Sequence, residues 1–342
     1  MKVQHTSIAG FDVGGAHLKF SRLDNGRVTH AETFATPLWR GLHLLTDAFA
    51  KAAPHCRDCS IAGVTMTGEL TDAFPSRQAG VAALLEMVGQ DVPVPDTRIY
   101  AGRSGFVSLA DAPAHSTDIA SANWHATAAL VGKQTGNALF VDMGSTTTDI
   151  IATRNGSIAN IGYTDSERLA TGELVYTGFT RTFLFGVSPT AIVRGQVTPL
   201  MNEYFASIAD VHRIMGVLDE DDDRHDTADG KEKTVAASTT RLARMVGRDA
   251  DDLDARDWRS IAEWFSEQQL RTIHEAAFRV GSRLDDNAPI VGAGIGRWQI
   301  RRLADRLGRP FVDLADIIPA SRAVRNEASN GAAATAVALL LG

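Results

Sequence analysis

The sequence predicts an α/β fold in two lobes, each built on a mixed sheet that opens with hairpin-linked strands. Three observations carry this expectation. Strands and helices alternate along the chain, the pattern of α/β architecture. The order strand, Asp-x-Gly turn, strand, Asn-Gly turn, strand occurs twice, in SIAGFDVGGAHLKFSRLDNGRVTHAETF and again in NALFVDMGSTTTDIIATRNGSIANIGY. In both places the hairpins come before the first helix, unlike the strand–helix–strand opening of a doubly wound dinucleotide fold.

Taken in order, SIAGF is an apolar strand, AHLKFSRL alternates as a half-buried strand should, and RVTHAETF follows the turn at Asn25-Gly26. Leu42, Leu45, Phe49 and Ala52 mark a helix over 38–53. SIAGVTMT is a buried strand, 77–88 a helix, TRIYAG a short strand, and 119–131 a helix with Ser121, Asn123 and Trp124 near its start. The second lobe begins at Gly136. Its middle holds an acidic run, LDEDDDRHDTADG, expected as a solvated loop, and helices over 238–246 and 258–284. In the second of these, Trp258, Ile261, Trp264 and Phe265 form a stripe that belongs in a core. APIVGAGIG is a strand entering a Gly-rich turn, followed by a helix from Trp298, the strand PFVDL and a small-residue tail helix. The expected domains are therefore 1–135, with the first Asp-Gly loop, and 136–342, with the second loop. The latter carries a helical insertion at about 200–285 and the turn at 292–296, and its last helix is free to pack on the first lobe.

Composition narrows the function. The net charge of −7 gives no support to nucleic acid as the main partner, so an anionic ligand must be held by local devices. No apolar run approaches the ~20 residues of a membrane span. The N-terminus lacks a signal-peptide layout, and the two cysteines, Cys56 and Cys59, suit a cytoplasmic protein with reduced thiols at a helix-end turn. A zinc site assisted by His55 or His5 is the lesser alternative, because no second Cys pair exists.

The paired loops carry the chemistry. An Asp at a strand end followed by glycines lets backbone N–H groups approach phosphate oxygens, while the carboxylate holds Mg²⁺ directly or through its waters. Alignment of FDVGGAHLKF with VDMGSTTTDI pairs Asp12 with Asp142, Gly14 with Gly144, and Gly15 with Ser145. Ser145, Thr146, Thr147 and Thr148 add hydroxyls, and Asp149 closes the motif. Either loop alone would read as an ordinary hairpin turn; the pairing points to a phosphate-bearing ligand and Mg²⁺ between two lobes. GAGIG, with Gly292 and Gly294, is by itself a tight turn lacking the dinucleotide spacing.

DVGGAHLK, VDMGSTTTDI and VGAGIG together resemble the two phosphate motifs and the adenosine motif of the actin, sugar kinase and Hsp70 superfamily, which implies ribonuclease-H-like lobes with the ligand cleft between them. GSTTTD resembles the hydantoinase/oxoprolinase group. TMTGEL, ANW, TDSERLATGELVYTGFTRT, TADGK and RLARMVGRD resemble a narrower family, the tetrahydromethanopterin-linked one-carbon pathway proteins, over nearly the whole chain. That resemblance implies an aryloxymethylfuran synthase of methanofuran biosynthesis. Such an enzyme condenses the phenol of tyramine or γ-glutamyl-tyramine with an aminomethylfuran-methyl diphosphate and releases pyrophosphate.

On this expectation Asp12 and Asp142 position Mg²⁺, while Gly14, Gly15, Gly144, Ser145, Thr146 and Thr147 cradle the diphosphate. Lys19 either reaches a phosphate or simply points outward. Glu69 and Glu173, with Asp72 and Asp165 behind them, are candidate bases, each with a capping or solvated role as the plainer reading. Arg181 suits the glutamyl carboxylate or a phosphate. Asn123 and Trp124 line the aromatic substrate's slot, or else form a helix cap and a core tryptophan. Lys231 rides a loop that covers the cleft, or an ordinary surface loop. ATP is compatible with the motifs but not required, and a homodimer is compatible with the reading. Two rivals stand beside it: an ATP-dependent kinase or amidohydrolase of the same superfamily, and a non-catalytic nucleotide-dependent switch.

Overall fold

The computed structural model describes residues 7–342. Its first sheet contains β1 (Ser7–Val13), β2 (His17–Asp24), β3 (Arg27–Ala35), β4 (Cys59–Met66), β5 (Asp96–Tyr100) and β6 (Phe106–Ser108). Their order is β3-β2-β1-β4-β5-β6. β1 pairs antiparallel with β2 and parallel with β4, so β1 is central, and all seven of its residues are buried. The second sheet contains β7 (Ala138–Met143), β8 (Thr148–Arg154), β9 (Ser157–Ile158) and β10 (Leu174–Val175). A separate hairpin is formed by β11 (Thr190–Val193) and β12 (Gln196–Pro199), and the second sheet is completed by β13 (Ile290–Ala293) and β14 (Phe311–Asp313). Its order is β10-β8-β7-β13-β14, with β9 also on β8. The motif-bearing strand thus lies inside each sheet, hairpin partner on one side and later strands on the other. This is the mixed-sheet α/β arrangement expected from the sequence.

The repeat extends to dihedral angles. Asn25-Gly26 has φ values of 51° and 78°, and Asn155-Gly156 has 52° and 80°. These are the two left-handed residues of a type I′ hairpin turn, which Asn tolerates and Gly adopts without a Cβ clash.

The principal helices are α1 (His43–Ala52), α2 (Arg77–Asp91), α3 (Asn123–Thr135), α4 (Asp165–Thr171), α5 (Ile208–Met215), α6 (Val235–Met245), α7 (Ala255–Gly281), α8 (Arg297–Leu307) and α9 (Ala332–Leu341). Two differ from the sequence expectation. The helix expected over 38–53 is a 3₁₀ turn at Leu38–Arg40 followed by α1, broken at Gly41, whose φ is 150°. The helix expected over 119–131 starts at Asn123, because Ser121 takes φ 54° and ends the short helix Ser116–Ile119 before it.

The chain forms two compact units that are not sequential halves. One comprises the described residues up to Phe140 together with Ile151–Asn160 and Val312–Gly342; the other comprises Val141–Ile150 and Ile161–Phe311. In the first unit, Phe11 packs 5.1 Å from Phe20 and 5.4 Å from Phe49 between ring centroids, and α9 lies against β1, β2, β4 and α3. Ala332, Ala333, Ala334, Ala336 and Ala338 are buried there, which is what a small-residue helix permits: close approach to a sheet. In the second unit, Trp258, Ile261 and Phe265 of α7 are buried in a core with Leu242 and Met245 of α6 and Ile208 and Val211 of α5. The stripe is core, and the indole N–H of Trp264 donates to the Thr190 carbonyl at 2.9 Å.

The acidic run is a correction: it is not simply a solvated loop. Asp223 accepts from Arg213 at 2.6 Å, and Asp229 accepts from Arg241 at 3.1 Å. Arg241 in turn is held by Asp210, 2.8 Å from its Nε. Arg213, Arg241 and Asp210 are all buried, so the run supplies counter-charges that two buried guanidinium groups require. Among the described residues no helix is long and apolar enough to cross a membrane.

Candidate functional site

In the first unit, β1 delivers Asp12 to its C-terminal end with no exposed surface. Cross-strand register sets Lys19 of β2 opposite, with Nζ 3.1 Å from Asp12 Oδ2. The other oxygen, Oδ1, is buried and has no hydrogen-bond partner among the described residues. On the opposite side Thr65 of β4 is the register partner of Asp12, and its hydroxyl is likewise buried without a partner. Two orphaned oxygens side by side are costly unless something fills the gap. An oxygen-only donor set suits a hard cation such as Mg²⁺. The turn after Asp12 closes with the Gly14 N–H donating to the His17 carbonyl at 2.9 Å, and Gly15 lies against Thr71.

Glu69 is also buried in this unit, and its Oε1 accepts from the Ser121 hydroxyl at 2.7 Å. Asp72 is exposed. Asn123 starts α3 and accepts from the Trp124 N–H at 2.7 Å, while Trp124 is only 2% exposed. Trp124 is a core residue, the plainer of its two readings.

The second loop repeats the first. The Gly144 N–H donates to the Thr147 carbonyl at 3.0 Å, the counterpart of the Gly14–His17 bond. Residues 177–181 fold against it. The Gly144 carbonyl accepts from Phe179 N–H at 2.8 Å, and the Ser145 carbonyl accepts from Arg181 N–H at 2.9 Å. In a trans peptide the N–H points opposite to the preceding carbonyl. The N–H groups of Ser145 and Thr146 therefore both point away from 177–181, as two successive donors of the kind that receives phosphate oxygens. Arg181 donates to Thr146 Oγ1 at 3.2 Å, and Ser145 Oγ lies 3.5 Å from that same oxygen. Burial lowers the Arg181 guanidinium below its ordinary pKa, with Tyr176 and Tyr204 pulling the other way.

The Gly-rich turn belongs to this loop. Gly294 has φ 79°, and a Cβ there would lie 2.4 Å from Asp142 Oδ1 and 2.4 Å from the Met143 carbonyl. The Gly296 N–H donates to that carbonyl at 2.9 Å. Glycine is thus required at 294 to let the turn close over Asp142. Gly292 sits on β13 beneath Phe311.

Glu173 is placed differently. It is fully buried; Oε1 accepts from Ile161 N–H and Arg283, and Oε2 from Gly162 N–H and the Thr171 hydroxyl, all at 2.7 to 2.9 Å. Four donors leave it no lone pair for proton abstraction, so its geometry is that of a brace. Asp165 and Asp149 both pair with buried Arg168. Lys231 is exposed, and its loop is tied by Thr227 Oγ1 donating to the Lys231 carbonyl at 2.8 Å.

Sequence reasoning missed the aromatic surface beside Arg181. Phe183 and Tyr204 are 43% and 42% exposed with ring centroids 4.2 Å apart, and Phe185 stands 5.7 Å from Phe183. His225 lies near enough for the Arg181 charge to act on it; burial and that charge lower it to about 4, so it is neutral at pH 7. A Phe-x-Phe pair two residues past Arg181 was the available signal, though its exposure was not readable from sequence.

With an α/β fold of two related mixed sheets and an Asp-Gly loop at the end of each central strand, the chain belongs to the hydantoinase/oxoprolinase family, which matches residues 61–323. Its relatives include the (4-{4-[2-(gamma-L-glutamylamino)ethyl]phenoxymethyl}furan-2-yl)methanamine synthase of Methanocaldococcus jannaschii. That enzyme is 28% identical over 87% of this chain and 88% of its own length. The enzyme of the same name from Methanococcus vannielii is 33% identical over 46% of this chain and 71% of its own. Among solved structures, acetone carboxylase aligns with TM-score 0.57 and 11% identity over 98% of this chain and 70% of its own. The ATP-dependent caprolactamase of Pseudomonas jessenii aligns with TM-score 0.51 and 12% identity over 94% and 70%. At these identities the two structures speak to the fold alone.

Proposed function

We propose that the chain is a transferase of methanofuran-type cofactor synthesis, joining a phenol to a furylmethyl diphosphate as an aryl ether with release of pyrophosphate. The carrying observation is the second loop, which offers two successive N–H donors and the hydroxyls of Ser145 and Thr146, with the half-buried Arg181 reaching Thr146 Oγ1. The loop belongs to a chain whose relatives are named for a phenoxymethylfuran product. In that product the ether oxygen joins the phenol to a furan CH₂, which defines the bond to be made.

The phenol oxygen of tyramine or γ-glutamyl-tyramine attacks the methylene carbon of the aminomethylfuran diphosphate. The carbon–oxygen bond to the diphosphate breaks, its electron pair leaves on pyrophosphate, and the phenol proton passes to a base or solvent. Charge builds on the leaving oxygens, where fixed donors act most strongly. The N–H groups of Ser145 and Thr146 and the Arg181 guanidinium are the donors of this chain suited to them. Asp12 in the first unit and Asp142 in the second are each suited to hold Mg²⁺, which when bound would offset diphosphate charge. Lys19 orients Asp12 through their ion pair. Phe183 and Tyr204 offer the phenol ring an aromatic shelf, a role the buried Trp124 does not fill.

The test uses the aminomethylfuran-methyl diphosphate and the tyramine derivative without nucleotide. Ether and pyrophosphate in equal amounts support the reading. A requirement for ATP with ADP formed would replace it with the kinase or amidohydrolase alternative. Asp142→Asn is expected to lower turnover about 100-fold while the circular dichroism spectrum stays unchanged; full activity in that variant would remove Asp142 from the site.

A further inference from the structure

The first unit carries a second cluster that the proposed reaction does not use. His30 and Glu32, two apart on β3, point to the same side of the strand, and His55 comes from the turn after α1. Glu32 Oε2 lies 3.1 Å from His30 Nε2 and 3.9 Å from His55 Nε2, and all three donor atoms lie within 4.8 Å of one another. The two imidazoles stack with centroids 3.9 Å apart and planes 11° apart, with Phe20 packed against both rings.

We infer that His30, Glu32 and His55 form a binding site for a divalent transition-metal ion of the zinc type. Two imidazoles and one carboxylate are a His₂Glu set, which favours zinc and its neighbours over magnesium or calcium. Bonds of ~2.0–2.1 Å at tetrahedral angles place donor atoms ~3.3 Å apart. The carboxylate oxygen stands 3.1 and 3.9 Å from the two ring nitrogens, which brackets that spacing; the stacked imidazoles must turn out of their parallel arrangement for both nitrogens to meet one ion, leaving a fourth position for water.

The support is fixed before any ion arrives. Arg22 donates from Nη1 to the carbonyls of His55 and Arg57, each at 2.8 Å, pinning the turn that carries His55. Its own charge is answered by Asp24 at 2.9 and 3.0 Å, whose carboxyl is drawn down to about 2 chiefly by that bond. The buried thiols of Cys56 and Cys59 lie outside this donor set. His5 lies outside the described residues. A bound ion would cross-link β3 to the turn before β4.

Tag-free, metal-stripped protein titrated with Co²⁺ and with Zn²⁺ tests this. One ion per chain is expected, with Co²⁺ giving visible d–d bands displaced by Zn²⁺ and with a raised melting temperature. His55→Gln and Glu32→Gln should each weaken Zn²⁺ binding at least tenfold and abolish the Co²⁺ bands, whereas exposed His43→Gln should change neither. Metal-free melting curves show that the variants are folded. No Co²⁺ bands in the unaltered chain, or undiminished Zn²⁺ binding in both site variants, would overturn the inference.

Discussion

Both oxygens of Glu173 are engaged, and that sets what its substitution does. Glu173→Gln replaces one acceptor oxygen by an N–H₂ facing donors and leaves Arg283 without its counter-charge. Breaking a buried pair from one side costs about 3 kcal/mol. Urea unfolding of Glu173→Gln should show a loss of that order, with turnover per folded molecule unchanged. A general-base role would instead abolish turnover at little cost in stability. His212 offers a second test at this scale. Its Nδ1–H donates to the Phe179 carbonyl at 2.9 Å, its ring stacks on Phe179, and burial lowers it to about 4. Because the folded value lies below the ordinary 6.5, the unfolded chain binds the proton first. The stability contributed is full above about pH 6.5 and is lost as pH falls toward 4, at up to ~1.4 kcal/mol per unit. Between pH 7 and 5, His212→Gln should lose roughly 2 kcal/mol less than the unaltered chain.

At the scale of elements, the two Asp-Gly loops and two Asn-Gly turns were legible because each depends on residues whose backbone freedom is written in their chemistry. The closing bonds Gly14–His17 and Gly144–Thr147 are alike although His17 and Thr147 are not, since only backbone atoms take part. Helix edges were less legible. Gly41 and Ser121 break apolar periodicity through dihedral angles that the periodicity does not encode. The Gly-rich turn was read as a tight turn of its own, whereas it closes on Asp142 and Met143. Gly294→Ala brings a Cβ against the Asp142 carboxylate at an unfavourable φ, and should cost about 2 kcal/mol or more. It should also lower turnover by displacing Asp142, measurable beside Gly308→Ala, a positive-φ position with open space.

For the whole molecule, the internal repeat was the strongest signal, and strand order bears it out: the motif strand occupies the same place in both sheets. The interleaving of the compact units was not legible, because it depends on where 151–160 and 312–342 pack rather than on any local pattern. The same holds for the site. Asp12, Lys19 and the second loop were read from motifs, whereas Thr65, Phe183 and Tyr204 become candidates only through register and exposure. Phe183→Ala should accordingly raise the apparent KM for the phenol at least fivefold with little change for the diphosphate. The most direct measurement is phosphate accounting in a nucleotide-free reaction of aminomethylfuran-methyl diphosphate with γ-glutamyl-tyramine. One pyrophosphate released per ether formed is expected; no ether without ATP, with ADP appearing when ATP is supplied, would contradict the proposed transfer.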